Sequence, residues 1–199
     1  MPKIDAPTVR EHHARVLTRL VDAAEEVLRE DGPDQFTTGA VSARAGVARN
    51  SIYRYVDSVA DLRGLVIQRY MPAWFAAVQQ AMDATDDPGE QIVAWALANL
   101  QQATAAGHGW LVKVGAHGLD QASTAVVGQA HANMFAGLGQ AWARVTPGAE
   151  RLWSAMTAGV LNACMKQVEA GMDLDEVAVG LDQAVRALVA SRRNQQIQN

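Results

Sequence analysis

The stretch TTGAVSARAGVARNSIYRYV, residues 37–56, reads as two short helices joined by a tight turn. Thr37 supplies an N-cap oxygen for a helix running to about Ala45, with Val41 and Ala45 four apart on its inner face. Gly46 stops that helix, because glycine adopts the left-handed conformation at little cost. A second short helix covers about 48–55 and turns Ile52 inward. Upstream, Leu17, Leu20, Val21, Ala24, Val27 and Leu28 fall on one stripe of a first helix at roughly 8–30, which closes at Asp31-Gly32-Pro33. Downstream, Ser58-Val59-Ala60-Asp61 has the spacing of a capping box. It opens a fourth helix through Leu62, Leu65, Val66, Tyr70, Trp74 and Val78 to about Met82, which Pro72 is expected to kink or to break after Tyr70.

Two short helices joined by a glycine-containing turn, with another helix behind them, make a tri-helical helix-turn-helix. The second short helix is the one that fits a major groove. Its Arg49, Asn50 and Ser51 carry the guanidinium, amide and hydroxyl that read base edges, and Tyr53, Arg54 and Tyr55 add hydroxyl and cationic contacts. Thr37 and Thr38 offer a phosphate hydroxyl and backbone donors at a helix N-terminus. The competing interpretation is a solvated polar face, with Tyr53 or Tyr55 packing as a core aromatic. Charge favours the first. The net charge of −4 resides in residues 71–199, whereas residues 1–70 balance ten Lys and Arg against ten Asp and Glu, and residues 38–56 hold Arg44, Arg49 and Arg54 with no acid.

These residues resemble the tetracycline-repressor (TetR) family of bacterial regulators over residues 10–70. The resemblance rests on Thr37, the turn Ala45-Gly46-Val47, the run Ile52-Tyr53-Arg54-Tyr55-Val56, and Ser58-Val59-Ala60-Asp61-Leu62. The sequence departs from the family pattern at Ala48, where a hydroxyl cap is usual, at Val56, where Phe is usual, and at Val59, where a Lys commonly reaches a phosphate. The resemblance implies a homodimer of Ω-like helical subunits, usually a repressor, in which a small molecule bound in the C-terminal part changes the spacing of the two recognition helices.

The remaining chain reads as helices at about 88–105, 107–118, 121–145, 147–170 and 173–193, making about nine in all. In the helix at 121–145, Ala130, Leu138 and Val145 alternate with Val127, Met134 and Ala141, and Gln129, Asn133, Gln140 and Arg144 form its wet face. The helix at 147–170 has apolar residues on most sides, which implies burial on several of them. Either a partner subunit or the chain's own core could cover it. The candidate dimer surface comprises Ala155, Gly159 and Ala163, small enough for close helix approach, with Val177, Leu181, Ala184 and Leu188 of the last helix. Dimerisation suits DNA recognition, because each base contact supplies only about 1–3 kcal/mol and two half-sites roughly 34 Å apart double the reading.

For a small, largely apolar effector the candidate pocket residues are Trp74, Trp95, Asn99, Trp110, His131, Met134, Met156 and Asn162. Asn99, His117, His131 and Asn162 lie in apolar surroundings, where each needs a partner, either a ligand or a backbone carbonyl.

Several classes are excluded on pattern. No apolar run reaches the roughly 20 residues of a membrane span, and MPKIDAPTVREHH lacks a signal-like apolar core, so a cytoplasmic protein is expected. The single cysteine, Cys164, cannot form an internal disulfide and reads as a small core residue. The spacings of His108, His117 and His131 match no metal motif, and no phosphate loop or nucleophile elbow is present, so neither catalysis, metal nor cofactor is expected. The resulting expectation is an all-α chain: a three-helix DNA-binding domain at 1–57 and a helical ligand-binding and dimerisation domain at 58–199. Such a chain is a ligand-responsive transcriptional regulator on a palindromic operator. The alternative is a helical small-molecule-binding or protein-interaction module without specific DNA binding.

Overall fold

A computed structural model describes residues 9–197; the sequence-predicted helix start at residue 8 and most of the stretch inspected for a signal lie outside the described residues. Every regular element described is helical. In order they are α1 (Val9–Glu30), a 3-10 turn (Pro33–Gln35), α2 (Thr38–Ala45), a 3-10 segment (Arg49–Arg54), α3 (Val59–Asp83), α4 (Pro88–Ala106), α5 (His108–Ala116), α6 (Gln121–Val145), α7 (Glu150–Glu169) and α8 (Leu174–Ile197). None is long and apolar enough to cross a membrane.

Capping chemistry accounts for the boundaries. Thr37 Oγ1 accepts from the Ala40 amide at 3.1 Å to open α2, Asp87 from the Glu90 amide at 2.9 Å to open α4, and Asp173 from the Glu176 amide at 3.1 Å to open α8. Ser58 Oγ accepts from the Asp61 amide at 3.0 Å; the Asp61 carboxylate returns to the amide of Asp57, one residue before its expected partner. Gly46 closes α2 at φ 64°, ψ 36°. Of the two expectations for Pro72, a kink or a break, the break does not occur: α3 runs through it. It removes only the single bond its amide would give to the Gln68 carbonyl, and the turns on both sides remain intact.

Contacts divide the chain into two compact units. The first joins the stretch up to Arg69 to Val112–Val127; the second comprises Tyr70–Leu111 and the chain from Gly128 onward.

In the first unit, Leu20, Val21, Ala24, Val27 and Leu28 of α1 are buried, as are Phe36, Val41, Ile52, Val56, Leu62 and Val66. Full burial of each large aliphatic contributes about 1.5–3 kcal/mol. The stripe of α1 is rotated slightly from expectation: Val16 and Ala23 are inside and Leu17 only half-buried. The α5–α6 turn is held to α3 by Arg63, whose Nη1 donates to the carbonyls of His117 and Gly118 at 3.0 Å each while its guanidinium lies 5.0 Å from the Phe36 ring centre. Burial lowers the Arg63 pKa.

In the second unit, α4, α7 and α8 pack against one another, and Trp95 and Trp142 are fully buried. Trp142 Nε1 donates to Thr157 Oγ1 at 3.1 Å, which satisfies the indole inside the core. The α7 helix departs from expectation. Only Thr157, Ala158, Leu161 and Met165 are buried, in one stripe, while Leu152 is 61% exposed and Met156 40%. Trp153, Val160, Cys164 and Val168 pack partly buried against the core, so only Leu152, Ala155, Met156 and Ala163 face outward.

Candidate nucleic-acid interface

The segment after Gly46 is a six-residue 3-10 helix rather than the expected α-helix. Its N-cap residue, Ala48, makes no side-chain capping bond, so the first amides are not drawn into α-helical register. Ile52 and Val56 pin it to the core at 0% and 4% exposure. That anchoring leaves Arg49, Asn50, Tyr53 and Arg54 exposed and Ser51 half-buried. Tyr53 Oη lies 3.4 Å from Thr38 Oγ1, so the first turn of α2 and the 3-10 segment present hydroxyls side by side. Of the predicted contact residues, Thr38 and Tyr53 are thus brought together across the two elements.

Two sequence-predicted contact residues are placed differently. Arg44 points back at α1, with Nη1 2.7 Å from Glu30 and 3.5 Å from Glu26, and Nη2 3.2 Å from Asp31. The bond to Glu30 leads the causes that raise its pKa, and this guanidinium is committed inside the unit. Tyr55 is half-buried, its ring 4.8 Å from that of His13, and His13 Nε2 lies 3.3 Å from the Arg54 carbonyl oxygen. His13 itself stays exposed. It is the seam between α1 and the end of the 3-10 segment, and no local pattern could reveal a contact spanning 41 residues.

Residues 20–63 match the family model described as bacterial regulatory proteins, tetR family. The helix-turn-helix is similar to a tetR-family domain. The whole tetR-like fold recurs in solved structures of low identity. The fatty acid degradation regulator FadR of Bacillus halodurans is 18% identical, with a TM-score of 0.67 over 86% of this chain and 94% of its own. A TetR-like transcriptional regulator from Rhodococcus sp. RHA1 is 21% identical, with a TM-score of 0.66 over the same shares, 86% and 94%. The regulator PfmR of Thermus thermophilus is 14% identical, with a TM-score of 0.68 over 85% of this chain and 97% of its own. No curated protein matches the sequence significantly. The chain therefore has the fold of a tetR-type transcriptional regulator.

The candidate effector residues are not all brought together. Trp74 Nε1 donates to Asn99 Oδ1 at 2.8 Å, Asn99 Nδ2 donates to the Trp95 carbonyl at 2.8 Å, and Trp95 Nε1 donates to the Met134 carbonyl at 3.1 Å. Asn99 is thus satisfied by its own chain. Trp110 packs edge-on to Tyr70 at 6.4 Å, and Trp74 to His108 at 6.1 Å. Met156 and Asn162 lie on the outer face of α7, and His131 is exposed on α6, so their apolar sequence neighbours do not bury them. His117, likewise exposed, has Nδ1 2.7 Å from the Lys113 carbonyl oxygen.

Among the candidate dimer residues, Ala155, Gly159 and Ala163 are exposed and share the outer face of α7 with Leu152 and Met156. Val177 and Leu181 are corrected: both lie in the chain's own core, because α8 turns its i, i+4 stripe through Val185 and Val189 toward α4 and α7. Ala184 and Leu188 are half-buried, and Val179, Gly180 and Ala187 face outward. Cys164 is partly buried, which pushes its thiol pKa up. Among the described residues no group of three or more His, Cys, Asp or Glu could hold a metal ion.

Proposed function

We propose that this chain is a transcriptional repressor that binds a palindromic operator as a homodimer and is released by a small, largely apolar effector. The observation that carries the DNA-binding part is the 3-10 segment itself, buried through Ile52 and Val56 and offering Arg49, Asn50, Tyr53 and Arg54 to a groove. Thr37 and Thr38 are assigned to phosphate, and Ser51 to the edge of the same contact. DNA contact belongs to residues 1–57, and effector binding and dimerisation to residues 58–199. This is a division of labour rather than of packing, since residues 112–127 pack with the head.

The dimer is assigned to the outward apolar face of α7, formed by Leu152, Ala155, Met156, Gly159 and Ala163, together with Val179 of α8. An amphipathic surface of this kind is self-complementary across a two-fold axis. The effector is assigned to the half-buried aromatic wall of Trp74, Trp110, Tyr70 and His108, with Met134 as an adaptable filler.

The test is fluorescence anisotropy with duplex from the chain's own upstream intergenic DNA and a random duplex across a salt series. Sequence-preferring binding that weakens steeply with salt and is lost in Arg49→Ala and Tyr53→Ala supports the reading. Equal binding to both duplexes, unchanged in the variants, overturns it in favour of an interaction module.

A further inference from the structure

We propose that the aromatic wall formed by α3 and α5 takes a lipophilic monocation, an ammonium bearing an aryl group, with the Glu169 carboxylate as its counter-charge. The inference rests on the effector reading above and names the class of ligand for that site.

Glu169 ends α7 with a carboxylate that its own unit leaves unbalanced. Asp87 and Glu90 of α4 and Asp182 of α8 are each paired with an arginine of α8. Among the described residues, by contrast, no Lys or Arg lies within ion-pair distance of Glu169. Its partner is His108, with Nδ1 3.4 Å from Oε1, and an imidazole balances the charge only when protonated. The Glu169 side chain is 43% exposed, so a ligand can reach it.

Nor is this carboxylate spent on capping α5. The amides of Trp110 and Leu111 in the first turn of that helix both donate to the Gly107 carbonyl, at 2.9 and 3.1 Å. Glu169 is nevertheless brought hard against α5. A Cβ at Gly109 would stand 2.8 Å from Glu169 Cδ, 2.9 Å from Oε1 and 3.0 Å from Oε2, so the glycine is what admits the carboxylate there.

Through His108 the carboxylate stands one ring away from the wall. The His108 ring lies 6.1 Å from that of Trp74, and Trp110, two residues further along α5, meets Tyr70 edge-on at 6.4 Å. Tyr70 and Trp74 are one helical turn apart on α3, which sets the two ring pairs side by side. Trp74 Nε1 is committed to Asn99 Oδ1, which fixes the indole and leaves it no N–H for the acceptor of a ligand. The half-buried rings therefore offer π faces, which are electron-rich, beside a negative charge. An anion is repelled by both, a neutral hydrocarbon gains only burial, and an aryl ammonium gains burial, cation–π attraction and a counter-ion.

Isothermal titration calorimetry on the full chain tests this with two ions of similar shape and opposite charge, benzyltrimethylammonium and phenylmethanesulfonate. Wild type is compared with Glu169→Gln and Glu169→Lys, each checked for wild-type helical content. Wild type is expected to bind the ammonium about tenfold more tightly than the sulfonate. The Gln variant should lose most of that preference, and the Lys variant should invert it. In the anisotropy assay the ammonium should also release wild type from the upstream duplex. Equal affinity for the two ions, binding of neither, or a wild-type preference in the Gln variant overturns the proposal; the regulator reading stands if the duplex preference persists. A chain that prefers the ammonium yet stays on the upstream duplex upholds this site and overturns the effector role given to the wall.

Discussion

Arg44 Nη1 lies 2.7 Å from Glu30 Oε2, so the first of the three arginines in the acid-free stretch 38–56 is bound to the end of α1 and not to the exposed face beside it. The tie also spans the packing of α2 on α1, and with Glu26 and Asp31 it forms a small network at the surface.

Arg44→Ala is therefore expected to act on stability and to leave sequence preference intact. An exposed pair contributes little and is screened by salt. Urea unfolding at low and high salt should show a small loss that shrinks as salt rises, while the duplex preference stays at the wild-type value. A drop in preference matching Arg49→Ala would return Arg44 to the DNA-contact set.

Gly64 on α3 packs directly against Ser123 of α6, and a Cβ at Gly64 would overlap that side chain. Ser123 cannot move aside freely, since its amide and hydroxyl are both held by the Asp120 carboxylate at 2.7 and 3.0 Å. Gly64→Ala should destabilise the chain by about 1–3 kcal/mol through overpacking. Hydrogen exchange should show the protection loss concentrated at residues 112–127, and adding Ser123→Gly should recover most of it. Wild-type stability in the single variant would contradict the packing.

In the second unit, Arg193 Nη2 lies 2.7 Å from both carboxylate oxygens of Asp87, and Arg186 pairs with Glu90 on the same turn of α4. These bonds hold both carboxyls below their ordinary values of 3.8 and 4.5. A carboxylate with a depressed folded pKa stabilises fully above its unfolded value, and the contribution is lost as pH falls through the folded value. Arg193→Gln and Arg186→Gln should thus be slightly less stable than wild type at neutral pH and converge with it under acid, below the ordinary carboxylate range. Thermal melts across pH will show this; a gap that widens on acidification would reverse the sign.

Leu152 and Val179 are 61% and 57% exposed, large apolar side chains on the outer faces of α7 and α8. If that surface is the dimer contact, Leu152→Glu with Val179→Glu should give a monomer in sedimentation velocity with helical content unchanged, and operator binding should weaken with it. Wild-type mass in the variant would place the contact elsewhere.

Sequence alone located the helices of both units because helix boundaries are local. Thr37, Asp173 and Gly46 satisfy or release backbone groups within a few residues, and the buried stripes follow a 3.6-residue period. It also implied that Arg49, Asn50 and Tyr53 are exposed, as they are, since a segment anchored through Ile52 must expose its other faces. What the tertiary structure alone decided depends on partners distant in the chain. Whether an arginine is free or neutralised was settled for Arg44 by acids 13 to 18 residues away, and for Arg69 by acids more than 40 away. Asn99 found its acceptor in Trp95 and its donor in Trp74, which removed the polar handle that composition suggested. The apolar surplus of α7 could not be assigned to core or surface from its pattern, because periodicity gives a helix its stripes but not the neighbour that covers each one.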